Sequence, residues 1–248
     1  MDATNTYQKP EVQEQSKSRD DQVKDIRAVF EELGAAVASD RSALPRGRKA
    51  GGPLVNHLTR SEILLNAMAV FADKGVEATT VQDILTAAEI SRRTFYKYFD
   101  NKVDVLENIY KMAVGLLMGR YRAVMAISTS ASALLEAVVE LYFDYHVSVG
   151  PIIRMMQEEA LTSESPLAEH RKSAQTEMVA MLDQQMRDVH GKSMDPLVYH
   201  SLIWAMESAS LHMLNETDCL PEEVAHAKKV MRGFASSVLN SAIPVDAV

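Results

Sequence analysis

The sequence predicts an all-α protein, and three observations carry that reading. Apolar residues make up 47% of 248 positions and recur mostly at the three- and four-residue spacing of a helix face rather than in alternation. Glycine and proline are scarce, at 10 and 8, and several stand where a helix would stop or start. Thr59, Thr80 and Ser91 precede helical runs as caps would. A chain of this length supports one large or two modest domains, and two are expected. No apolar run approaches the roughly 18 residues of a membrane span, and MDATNTYQKPEVQEQSKSRD lacks the apolar core of a signal peptide. A soluble, cytoplasmic protein is expected. Cys219 is the only cysteine, which leaves neither an intrachain disulfide nor a thiolate zinc cluster.

The formal net charge of −8 is unevenly placed. Residues 41–102 hold ten Lys and Arg against six Asp and Glu, a net of +4, and the rest of the chain carries −12. A basic segment on an acidic body fits a protein that meets a polyanion at one end only.

Residues 1–58 read as an N-terminal extension. The first twenty are polar and without periodicity, which predicts a disordered tail. Over residues 21–38 the apolar residues Val23, Ile26, Val29, Phe30, Leu33 and Val37 share one face of an amphipathic helix. Such a helix packs on its own domain or a partner subunit, or docks another protein. Residues 41–53 contain no acidic residue and several Gly and Pro, so they form either a solvated linker or a flexible basic arm. In the second case Arg46, Arg48 and Lys49 follow phosphates or enter a minor groove.

The next segment, 59–106, reads as three helices. Thr59 and Glu62 have capping-box spacing and open a helix to about Lys74, with Ile63, Leu64, Ala67, Met68, Val70 and Phe71 inward and Gly75 ending it. Thr80 with Asp83 opens the second, which buries Val81, Ile84, Leu85 and Ala88. The break at Glu89-Ile90 is short enough only for a helix-turn-helix corner, and Ser91 caps the third helix. There Phe95 and Phe99, four apart, face the core, while Arg92, Arg93, Thr94, Tyr96, Lys97 and Tyr98 are left for the outer face and ends. A buried structural helix would not present so many donors. In a major groove Arg92 or Arg93 can donate twice to guanine and the Thr94 methyl can touch thymine. Tyr96, Lys97, Tyr98 and Lys102 suit phosphates, and the helix N-termini at Thr80 and Ser91 add backbone N–H donors toward phosphate.

Thr79-Thr80, Ile84-Leu85, Ala88-Glu89-Ile90-Ser91, Arg93-Thr94-Phe95-Tyr96-Lys97-Tyr98-Phe99 and Lys102 together resemble the N-terminal domain of the TetR family of one-component transcriptional regulators. The resemblance covers about Thr59 to Leu106. It implies sequence-specific binding to double-stranded operator DNA, with repression as the family default. Two positions depart from the pattern. Glu89 stands where the turn usually has Gly, so a residue with a side chain must take the left-handed conformation. Arg93 replaces a Gly near the start of the third helix and adds a long cation there.

Residues 107–248 form the acidic remainder. A lever-like helix runs from Lys102 to about Ile127, followed by Ala131–Ser148, Pro151–Leu161, Pro166–Val189 ended by Gly191, a helix from Pro196 to about Asn215, and one from Pro221 to about Ile243. Glu136, Glu140 and Asp144 share a face that reads as solvated. The resemblance implies an α-helical ligand-binding and dimerisation domain, with the last two long helices pairing two subunits and a small apolar or amphipathic effector releasing DNA. A dimer also suits a short recognition helix, because a twofold pair reads two half-sites. Flexible methionines can line an adaptable pocket. The expected lining is Met112, Leu116, Met125, Met155 and Met156, with Tyr142, Tyr145, His146 and Trp204 as polar-tipped members. Catalysis finds no support: the seven His are scattered and no HExxH, Walker A or GxSxG pattern occurs, so no enzyme, metal or cofactor is expected. The remaining rival is a helical adaptor docking partners through residues 21–38.

Overall fold

A computed structural model describes residues 53–128, 130–191, 193–214 and 220–241. The tail, the 21–38 helix and the basic arm with Arg46, Arg48 and Lys49 lie outside the described residues, apart from Pro53. Among the described residues nine α-helices follow in order: α1 Pro53–Ala78, α2 Val81–Ala87, α3 Arg92–Phe95, α4 Lys102–Ile127, α5 Ala131–Val149, α6 Pro151–Leu161, α7 Pro166–His190, α8 Pro196–Leu214 and α9 Pro221–Ser241.

The start of α1 corrects the sequence reading. Thr59 lies inside the helix rather than capping it. No Gly or Pro interrupts residues 54–74, and proline is tolerated in a first turn, where its missing N–H has no partner to lose. The other end is as expected at Gly75, where φ of 75° and ψ of 168° kink the chain. The six residues expected inward on α1 are all buried.

The turn between α2 and α3 is fixed by its backbone. Glu89 has φ of 51°. Its N–H bonds the Thr86 carbonyl at 3.4 Å, and the Ile90 N–H bonds the Leu85 carbonyl at 3.1 Å. This is the Schellman arrangement, normally built on glycine. α3 is shorter than expected: after Phe95 the chain continues through Lys97 N–H to Thr94 O and Tyr98 N–H to Phe95 O, the tighter bonds of a 3₁₀ turn.

α4 leads from the three-helix unit into the remainder. There α9 packs on α5 and α8, α7 on α4, α6 and α8, and α6 also reaches α1. The boundary expected at residue 106 is not a break in packing, because Phe71, Phe95 and Phe99 share one buried cluster with Ile109, Tyr145, Ile152 and Met156.

The Glu136, Glu140 and Asp144 stripe of α5 is solvated as expected at Glu136 and Asp144, which are exposed, and α9 adds cations along it. Lys228 lies 2.7 Å from Glu140 and 2.6 Å from Asp144, while Arg232 pairs with Glu140 and stands 3.7 Å from Glu136. Burial works against the charged Lys228, but the bonds to Asp144 and Glu140 outweigh it and raise its pKa.

Candidate nucleic-acid interface and internal cavity

Phe95 and Phe99, 0% and 2% exposed, anchor α3 from below, with ring centroids 5.9 Å apart. With that face fixed, Arg92, Arg93, Tyr96 and Lys97 are exposed together. Ser91 Oγ caps the helix by accepting from the Thr94 N–H at 3.1 Å, and lies 2.9 Å from Thr94 Oγ1. The Lys97 ammonium sits 5.1 Å over the ring of half-buried Tyr98. Thr80 closes its capping box: its hydroxyl accepts from the Asp83 N–H and its own N–H donates to Asp83 Oδ2 at 2.8 Å. The Lys74 ammonium, 2.6 Å away, and the Thr80 donors hold the Asp83 carboxyl well below the usual carboxylate range.

Lys102 has a different role from the phosphate contact expected of it. Its ammonium donates to the carbonyls of Val76, Glu77 and Thr79 at 2.9, 2.9 and 2.8 Å. An ammonium has three donors, so none remains for DNA. Lys102 caps the kinked end of α1 from the first turn of α4.

Inside the second half, α4 to α9 enclose a largely apolar cavity of about 210 Å³. Tyr142, Tyr145, His146 and Trp204 line it, although Trp204 is also 43% exposed and stacks on His200. His146 is buried and bonds the Tyr142 carbonyl through Nδ1 at 2.7 Å, which puts the proton there and leaves Nε2 to accept from Gln157 at 3.1 Å. Burial depresses its pKa to about 4, so the ring is neutral near pH 7. Also on the wall, Arg171 pairs with Glu207 at 2.5 Å, and Gln175 donates to both oxygens of that carboxylate. Burial, reinforced by the nearby Glu207 charge, raises the Tyr110, Tyr121 and Tyr142 hydroxyl pKa values well above normal.

Residues 63–109, the stretch that builds this exposed helix, match the family described as bacterial regulatory proteins, tetR family. That segment is a TetR-family DNA-binding domain by sequence. Similar proteins include the transcriptional repressor KstR2 of Rhodococcus jostii, 36% identical over 85 residues, covering 34% of this chain and 42% of that one. The transcriptional activator FasR of Mycolicibacterium smegmatis is 28% identical over 130 residues, covering 52% and 58%. Both alignments span less than two thirds of the relative's own length. Among solved structures, the SmeT–triclosan complex has the same fold, with a TM-score of 0.59 and 16% identity over 77% of this chain and 94% of that one.

Of the residues expected in the pocket, five lie elsewhere. Met156 is buried in the cluster around Phe95, and Met112, Leu116 and Met155 pack against that cluster. Met125 is buried in a second cluster around Phe143. These side chains fall on helix faces turned toward neighbouring helices rather than the interior. Conversely, Gln157, Arg171, Gln175 and Glu207 line the cavity unforeseen. Glu207 carried a signal, being the only acidic residue of α8. Among the described residues no group of three or more His, Cys, Asp or Glu is arranged to hold a metal, and no helix is long and apolar enough to cross a membrane.

Proposed function

We propose that the chain is a transcriptional repressor that binds operator DNA as a homodimer through α3 and leaves it when a small molecule occupies the cavity. The observation that carries the first part is the outward group Arg92, Arg93, Tyr96 and Lys97, held over the buried Phe95–Phe99 pair within the family's domain. Guanidinium pairs on a short helix can read guanine edges, and the neighbouring tyrosine and lysine can follow phosphates. The repressor KstR2 favours repression, although FasR is named an activator. Exposed Leu197 and Trp204 on α8 with Val230 and Phe234 on α9 support pairing through these helices, because α9 presents the last two one turn apart.

The cavity supports the ligand part, as does a triclosan complex of the same fold. α4 forms both a cavity wall and the floor of the three-helix unit. A ligand that prefers the conformation with displaced α3 helices must lower DNA affinity by the factor that DNA lowers ligand affinity.

The deciding experiment is a gel shift on DNA upstream of the chain's own coding region. Sequence-selective binding that weakens as salt rises is expected, and Arg92→Ala or Arg93→Ala should each lose roughly 1–3 kcal/mol of operator selectivity. Equal binding of wild type and variants to operator and random DNA sinks the reading. Sedimentation at micromolar concentration checks the dimer, and a monomer with and without DNA excludes it.

A further inference from the structure

The cavity has two unlike ends. All amide, imidazole and charged side chains on its wall cluster toward one: His146 late in α5, Gln157 on α6, Arg171 and Gln175 early in α7, and Glu207 on α8. This end faces the three-helix unit, since α6 packs on α1, and His170 beside Arg171 contacts Glu107 near the start of α4 at 3.0 Å. The far end is walled by Leu134, Val138, Met178, Leu182 and Met186. Along α5 the wall runs from Ala131 to His146, on the order of 20 Å at the helical rise per residue.

The polar end carries no spare charge. Arg171 and Glu207 neutralise each other, and both Glu207 oxygens also accept from Gln175. His146 donates through Nδ1 to a backbone carbonyl, so its Nε2 accepts and Gln157 must turn its NH₂ toward it. That NH₂ also donates to the Tyr142 hydroxyl at 3.0 Å. Gln157 Oε1 is thereby left buried without a partner. An anion entering here finds the wall's guanidinium already neutralised by Glu207, and a cation finds that carboxylate already neutralised by Arg171, so either loses its hydration without an uncompensated counter-charge.

We propose that the effector is an uncharged, elongated, mostly apolar molecule with one hydrogen-bond-donating group. That group lies at the His146–Gln157–Tyr142 end and the apolar length runs toward Met186. The proposal rests on the reading of the cavity as the effector site. A hydroxyl or amide N–H gives Gln157 Oε1 the donor it lacks, and beyond it the wall is apolar apart from Tyr121 and Tyr199, the latter with its hydroxyl already bonded to Asp183.

Trp204, the chain's only tryptophan, lines the cavity and reports binding by its fluorescence. The full chain is titrated at pH 7.5 with 1-dodecanol, dodecanoate and dodecylammonium below their aggregation limits, then with the octyl and hexadecyl homologues, and thermal shifts are followed in parallel. Dodecanol should bind saturably and at least about tenfold more tightly than either ion, because only the ions leave a buried charge unpaired. Gln157→Leu should weaken the alcohol about three- to tenfold, as loss of one hydrogen bond does. Leu182→Phe should move the preferred chain length to a shorter homologue. An ion that binds as tightly as the alcohol overturns the proposal, as does the absence of a saturable response to any probe by both measurements. Should either variant fail to fold, the wild-type charge series still decides. Gel shifts on the same samples separate the two readings. Alcohol binding that leaves operator affinity unchanged removes ligand-induced release but keeps the ligand class, whereas DNA release by an ion alone does the reverse.

Discussion

Residues 59–109 and the helices around the cavity are built alike, from capped helices with one apolar face, yet they close in opposite ways. In the first region the helix ends are bonded: Lys102 on three carbonyls of α1, Thr80 with Asp83 on α2, Ser91 on α3, and the reversed turn at Glu89. Phe71, Phe95 and Phe99 are fully buried there. In the second region the helices leave a cavity of about 210 Å³, and its polar groups bond mainly to one another. Presenting a few side chains to a rigid duplex requires an over-determined scaffold, whereas accepting a ligand requires packing left incomplete. Because one cluster joins Phe95 to Tyr145, Ile152 and Met156, repacking of the loose region strains the tight one.

The largest expected effect breaks the tight side. Phe95→Ala removes a fully buried ring under α3 and should cost about 3–5 kcal/mol of stability, read by urea unfolding. Operator binding should fall with it even with Arg92 and Arg93 intact. Retention of both would show that α3 does not depend on that anchor.

The next effect belongs to the cavity. His146 has a folded pKa of about 4 against an unfolded value of 6.5. The unfolded chain therefore binds more protons between these values, so stability is complete above pH 6.5 and declines as pH falls toward 4. At about 1.4 kcal/mol per unit the loss approaches roughly 3 kcal/mol. Asp83 and Glu107, whose pKa values are lowered, lose their contributions only below the ordinary carboxylate range. Melting temperature should drop between pH 6.5 and 4.5 in wild type and stay nearly flat in His146→Phe. Equal slopes would place the pH dependence elsewhere.

A matched pair sharpens the contrast directly. Ala67 is 0% exposed in the tight core, and Ala174 lies on the cavity wall. Ala67→Leu should cost about 1–3 kcal/mol by overpacking. Ala174→Leu should remain within about 0.5 kcal/mol, because its added carbons enter vacant space. Equal costs by thermal unfolding would mean that the second half is as densely packed as the first.

The two regions also differed in how far the sequence revealed them. Ile63, Ala67, Ile84, Phe95 and Phe99 were legible because caps and a 3.6-residue period are local signals. The cavity was not, because its wall gathers residues from six helices and periodicity cannot say which apolar face meets a void. Met156 and Tyr142 both sit on apolar helix faces, yet only Tyr142 faces the interior. Lys102 looked like a phosphate ligand because its acceptors lie 23 to 26 residues earlier in the chain. The α5 carboxylates Glu136 and Asp144 are exposed as their spacing suggested, but their cation partners were not legible because these lie more than 80 residues later.

The smallest expected effect lies at the hinge of the tight region. Glu89 takes a left-handed conformation that costs a residue with a Cβ roughly 1–2 kcal/mol, and glycine avoids that cost. Glycine also loses more freedom on folding, about 0.4–1 kcal/mol, so Glu89→Gly should gain only about 0.5 kcal/mol in urea unfolding. Glu89→Asn keeps a side chain, tolerates the left-handed region, and should gain a similar amount. Both variants also remove a negative charge next to α3, so operator affinity should rise at low salt and converge with wild type at high salt. A stability loss in both would show that Glu89 makes a compensating contact. A salt-independent rise in affinity would mean instead that the turn geometry, rather than its charge, limits how α3 meets DNA.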